Sequence, residues 1–100
     1  MKNFAIGPVL HVMDVNELNA STAPAMRDEV RAALKPEQDC VEIDLSETKF
    51  IDSSGLGALI AIQKTMALRH GVVRIINPTH TVAQVLELTR LHRVLEIVRR

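Results

Sequence analysis

The sequence predicts an α/β fold: a single-layer mixed β-sheet of four to five strands with helices packed on it. Three observations predict it. Short apolar strand patterns alternate with helical ones along the whole chain, Pro and Gly fall between them, and no repeat, linker or low-complexity stretch interrupts the alternation. One hundred residues with 47% apolar content read as one domain spanning residues 1–100.

Val9 to Met13 reads as a strand, with Phe4 and Ile6 forming an earlier edge strand before the Gly7-Pro8 turn. The first helix follows. Ser21 or Thr22 can cap it, Pro24 fits its first turn, and Ala23, Met26, Val30, Ala33 and Leu34 recur at helical spacing until Pro36. Cys40, Val41, Ile43 and Leu45 make the next strand, with Glu42 and Asp44 on the alternate face.

A second helix is predicted from about Ser53 to Arg69, with Gly71 as its C-cap. Leu56, Leu59, Ile60, Ile62, Met66 and Ala67 form its apolar arc, and Ala58, Ala61, Lys64, Thr65 and Leu68 lie opposite. That second face is small and apolar for a solvated surface, which fits either a flat partner laid against Ala58 and Ala61 or simply an alanine-rich helix. Val72, Val73, Ile75 and Ile76 form a buried strand, and Asn77-Pro78 turns the chain. Thr79 to Thr89 is a third helix with Val82, Val85, Leu86 and Leu88 inward, and Leu91 to Val98 closes the chain as a short strand.

Composition narrows the function. The lone Cys40 has no disulfide partner and suggests a buried thiol in a reducing compartment. The longest uncharged apolar run, Leu56 to Ile62, is far too short to span a bilayer, and the N-terminus makes a poor export signal, so a cytoplasmic location is expected. Residues 1–52 carry a charge balance of −5 and residues 53–100 one of +5, so the net charge is zero. Without Trp, Tyr or a basic block, nucleic acid is disfavoured.

The chemistry concentrates in Phe50-Ile51-Asp52-Ser53-Ser54-Gly55-Leu56-Gly57, which joins a strand region to a helix through two hydroxyls. A helix N-terminus favours negative charge, and Gly55 and Gly57 let another backbone approach. A serine hydrolase is the enzymatic rival, but a nucleophile elbow reads Gly-x-Ser-x-Gly, whereas Asp52 stands two before Ser54 and Gly55 directly after it. Neither a zinc-ligand spacing, nor a P-loop, nor a dinucleotide fingerprint is present, so no metal or cofactor is expected.

Asp44-Leu45-Ser46, then Phe50 to Gly57 and Leu59, resemble the signature of the STAS domain, most closely that of stand-alone bacterial anti-sigma factor antagonists. The resemblance implies a binding protein without catalytic residues. It implies phosphorylation of Ser54 by an anti-sigma factor serine kinase, with release of that partner and resetting by a phosphatase. The implied partner surface is Asp52, Ser53, Ser54, Gly55, Leu56, Gly57, Ala58 and Ala61, joined by Asn19, Ser21 and Thr22 from the loop before the first helix. Asp52 either caps the helix or orients Ser54, and Asp44 and Ser46 fix a turn. The chain departs from the family pattern at Asn16-Glu17-Leu18-Asn19, where Gly-Glu-Leu-Asp is common, and at Arg90, where glycine is common. The alternative is a STAS docking subunit of a larger assembly, such as a lipid-transport ATPase complex or a stress-signalling scaffold. Oligomeric state is not legible.

Overall fold

The structure, a computed structural model, describes residues 1–100. Strands β1 (Lys2–Ile6), β2 (Val9–Met13), β3 (Cys40–Asp44), β4 (Val72–Ile76) and β5 (Glu96–Val98) form one sheet in the order β1-β2-β3-β4-β5. Helices α1 (Ala23–Ala33), α2 (Ser53–Ala67) and α3 (His80–Leu88) connect the parallel strands β2 to β5, and β1 pairs antiparallel with β2. The mixed α/β layer is the one predicted.

Local chemistry accounts for most element ends. Ile6 and Val9 pair across the two-residue Gly7-Pro8 turn, where Gly7 takes φ +56°. Proline forbids positive φ at the second turn position, so the glycine supplies the one left-handed residue that this hairpin needs. α2 ends in a Schellman arrangement: the Gly71 amide donates to the Met66 carbonyl at 2.7 Å and the His70 amide to Ala67 at 3.1 Å. The left-handed residue there is His70, at φ 58°, not Gly71. Gly71 is needed for a different reason, since a Cβ would lie 2.6 Å from the Asp39 carbonyl oxygen and 2.7 Å from the end of Met66.

Because strand order follows sequence order and crossovers are right-handed, all three helices cover one face of the sheet. Leu10, Val12, Val41, Ile43, Val73 and Ile75 point into that layer. They meet Met26 and Val30 of α1, Leu59, Ile62 and Met66 of α2, and Val82 and Leu86 of α3.

Several predicted details change. Leu88 is 84% exposed, because a nine-residue helix brings only Val82, Ala83 and Leu86 fully inward. Ala67 and Val72 are exposed as well. A 3₁₀ turn, Leu91–Arg93, precedes β5, so the closing strand shrinks to three residues. Arg90 enters that turn at φ 61°, the left-handed region in which glycine is unstrained.

The other face of the sheet carries a row that runs Phe4, His11, Glu42, Arg74, Glu96 across the five strands. Glu42 is buried there. Arg100 grips its carboxylate at 2.9 and 3.1 Å, Arg74 approaches at 3.4 Å and His11 at 3.4 Å. Burial pushes the Glu42 carboxyl up, but the bonds and charges of Arg100, Arg74 and His11 outweigh it and hold the group below the ordinary glutamate value. Cys40 lies on the same face, where burial pushes the thiol up. A protonated, buried thiol is a poor nucleophile.

Candidate functional site

The site forms where the C-terminal ends of β2 and β3 release their loops toward the start of α2. Leu18 and Ile51 make an isolated parallel bridge, and the Asp52 amide donates to the Leu18 carbonyl at 3.4 Å. The two loops therefore lie side by side. Gly55 makes this approach possible, since any Cβ would strike the Leu18 carbonyl oxygen and lie 2.6 Å from Ile51 Cγ1.

Asp52 fastens both segments. One carboxylate oxygen accepts the Gly55 amide at 2.9 Å and caps α2; the other accepts the Ala20 amide at 3.3 Å. Capping is the role that these bonds support, and no hydrogen bond joins the carboxylate to Ser54. Ser53 then occupies the first helical position and is exposed, while Ser54 occupies the second and is partly exposed. Their backbone amides are among the donors that a helix leaves without intrahelical partners, so both hydroxyls sit in a field that favours an anion.

The loop before α1 is built by its own polar side chains. Asn19 Oδ1 accepts the Ser21 amide at 2.9 Å, and the Thr22 hydroxyl donates to the Glu17 carbonyl at 2.9 Å while accepting the Asn19 amide at 3.1 Å. Thr22 stands at the N-cap of α1 yet makes no side-chain cap bond. Its hydroxyl organises the preceding turn instead. Asn19, Ser21 and Thr22 are thus brought to the same end of the molecule as Ser53 and Ser54.

Two residues of the predicted partner surface do not belong to it. Ala58 is 5% exposed and Gly55 is buried. Ala58 joins Ala23, Met26 and Val30 in the core, and at helical spacing from it Thr65 accepts a hydrogen bond from Arg31 of α1 at 3.3 Å. The small side chains on this stripe let α1 pack closely on α2, so the flat partner inferred from them is the chain's own first helix. Gly57 differs: it is exposed, and a Cβ there would meet nothing within 4 Å. Leu56 and Ala61 are half-buried.

Sequence reasoning passed over Thr48. It is fully buried, donates its hydroxyl to the Val15 carbonyl, and accepts the Thr79 hydroxyl at its own carbonyl at 2.7 Å. One threonine therefore ties the loops after β2, β3 and β4 together. The Asp44 carboxylate accepts the Ser46 amide at 2.8 Å, the turn expected of that pair. Between the loops after β2 and β3, Asn16, Glu17, Leu18, Asn19, Glu47, Lys49 and Phe50 line an open cleft of about 390 Å³.

A family model described as "Mlab, STAS domain" matches residues 8–98. The chain belongs to the STAS family. Among curated STAS relatives, the anti-sigma-B factor antagonist of Listeria monocytogenes is 25% identical over 88 residues, covering 88% of this chain and 77% of its own. A Thermotoga maritima crystal structure, of a protein proposed to be an anti-sigma factor antagonist, superposes with a TM-score of 0.89 at 26% identity, covering 99% of this chain and 85% of that one. The anti-sigma factor antagonist SpoIIAA in its unphosphorylated form superposes at 0.77 with 17% identity, covering 97% and 86%, a likeness of fold. No helix is long and apolar enough to cross a membrane.

Proposed function

We propose that this STAS protein is an anti-sigma factor antagonist that acts as one domain and by binding, not catalysis. In its unmodified form it binds an anti-sigma factor kinase and frees the sigma factor; phosphorylated at the start of α2 it lets go, and a phosphatase resets it. The setting is cytoplasmic. The observation that carries this reading is the similarity over 88 residues to a curated anti-sigma-B factor antagonist, joined to two accessible serines at a helix N-terminus.

Phosphorylation adds a charge of about −1.5 to −2 and three acceptor oxygens. In the free protein the helix terminus favours such a group by roughly 0.3 to 1 kcal/mol, up to ~2 kcal/mol when partly buried. Inside an interface the same dianion must shed water, and an unpaired buried charge costs several kcal/mol. The second effect is larger. A loss of about 4 kcal/mol lowers affinity roughly a thousandfold while the fold persists.

The acceptor expected from the sequence is Ser54, and the greater exposure of Ser53 makes the neighbouring hydroxyl its direct competitor. The partner surface of this proposal comprises Ser53, Ser54, Gly57 and the accessible parts of Asp52, Leu56 and Ala61, with Asn19, Ser21 and Thr22 beside them. Intact mass after incubation with the kinase and ATP, for the wild type, Ser53→Ala, Ser54→Ala and the double variant, tests the assignment. Loss of phosphate uptake in Ser54→Ala alone supports Ser54, and loss in Ser53→Ala alone moves the acceptor by one residue. Uptake in the double variant refutes the site.

A second reading is a permanent docking subunit of a larger assembly, and the matching family model is described as "Mlab, STAS domain", without mention of an antagonist. A stable complex with a transporter ATPase, unchanged by ATP, would support it over the switch.

A further inference from the structure

The two edges of the sheet are built differently. β5 has three residues, begins with Glu96 and is followed by Arg99 and Arg100, the short and charged kind of edge that discourages pairing. β1 has five residues, all exposed, with no proline and no bulge, and its one charge, Lys2, sits at the end. Phe4 is 42% and Ile6 63% exposed. Such an edge offers a full set of unpaired backbone groups beside apolar side chains.

The hairpin register says which groups these are. In a two-residue hairpin the flanking residues, here Ile6 and Val9, form a hydrogen-bonded pair, and such pairs alternate along the strands. Lys2, Phe4 and Ile6 therefore direct their amides and carbonyls to β2. Asn3 and Ala5 direct theirs outward.

We infer that the outer edge of β1 pairs antiparallel with β1 of a second copy of this chain, in a two-fold register centred on Phe4. In that register Asn3 faces Ala5 of the other copy, and Ala5 faces its Asn3. Both are hydrogen-bonded pairs, so four new backbone bonds form. Between them Phe4 meets Phe4 of the second copy as a non-hydrogen-bonded pair, the kind in which side chains come closest. Cross-strand aromatic pairs are favourable. Phe4 already stacks on His11 with ring centroids 5.0 Å apart, so the joined sheets carry a four-ring ladder on the face opposite the helices. Ile6 lies against the Lys2 stem of the other copy, which can cover it while the ammonium stays in water. A second copy is the occupant that this self-complementary register fits, because each outward donor and acceptor of the five-residue edge finds its counterpart in the same edge turned around.

The contact is smaller than a standard interface, so association is weak and concentration-dependent. Sedimentation of the whole chain up to about 1 mM, where weak contacts are populated, reads the mass. The mass is expected to rise from 11.1 kDa toward twice that value. Ala5→Pro removes an outward amide without touching the β1–β2 ladder, and it should remain at the monomer mass with an unchanged circular dichroism spectrum. Amide exchange supplies a second reading on unmutated protein: Asn3 and Ala5 should gain protection with concentration, whereas Phe4 and Ile6 are protected throughout. A wild type that stays monomeric over this range overturns the inference. So does a dimer that survives Ala5→Pro, or one in which the Asn3 and Ala5 amides exchange freely. None of these outcomes depends on the anti-sigma reading.

Discussion

Replacing Gly55 and Gly57 one at a time with alanine should move stability in opposite directions, although the two lie two residues apart in the first turns of one helix. Alanine is worth up to about 1 kcal/mol over glycine within a helix. At Gly57 the added methyl meets nothing within 4 Å, so the gain is expected to appear as about 0.5–1 kcal/mol of added stability. At Gly55 it would press on the Leu18 carbonyl oxygen, 2.6 Å from Ile51 Cγ1 and 2.9 Å from Leu18 Cγ. The loop cannot simply retreat, because Asp52 holds it through Ala20 and the Leu18–Ile51 bridge. Overpacking of this kind costs typically about 1–3 kcal/mol, and a backbone oxygen is a harder obstacle than a side-chain end. The variants should therefore differ by about 1.5–4 kcal/mol, or roughly 6–30 °C in Tm for a chain of this size. Urea and thermal melts followed by circular dichroism give both numbers. A Gly55→Ala protein as stable as the wild type would show that the two loops are not pressed together at this glycine, and the geometry of the serine site would need rebuilding.

Thr48→Val removes the hydroxyl that donates to the buried Val15 carbonyl and should cost about 1–3 kcal/mol in a urea melt. Arg90→Gly relieves a left-handed backbone and should raise stability by about 1 kcal/mol, read as an upward Tm shift. Glu42→Gln tests the sign of the buried carboxylate. A carboxyl held below its unfolded value contributes stability that is full above that value, roughly pH 4.3, and is lost as pH falls through the lower folded value. The stability difference between wild type and variant should thus be largest near neutrality and shrink in acid; a difference that grows in acid contradicts the assignment. Gly57→Ala should leave the fold intact and weaken partner binding roughly tenfold in a titration against the anti-sigma factor, the effect of about 1.4 kcal/mol of overpacking if the start of α2 is the contact surface.

The strands were legible because their apolar residues alternate or run together between breakers, and the alternation placed Val41 and Ile43 on the face that the helices cover. The stripe of Ala58, Ala61 and Thr65 misled because helical spacing says which residues share a face, not which element lies against it. Small side chains suit a neighbouring helix of the same chain as well as a foreign surface. Leu88 was misplaced for a related reason: near the end of a short helix an apolar residue can outrun the sheet that would cover it. The role of Thr48 has no local signal, since it arises only when three loops separated by about thirty residues each converge. Gly71 shows that a glycine after a helix has two possible reasons, and only the fold reveals that close approach to Asp39 is the operative one while His70 takes the strained conformation. The segment from Phe50 to Gly57, by contrast, was readable as the start of a helix because the Asp52 cap that begins α2 is a local feature.

The most direct measurement is a pair of calorimetric titrations of the anti-sigma factor, one with the unmodified chain and one with the chain carrying a single phosphate on the serine pair. The account predicts tight binding by the first and an affinity about a thousandfold weaker for the second, with both forms melting as folded protein. Equal affinities, or a phosphorylated chain that has lost its fold, would contradict it.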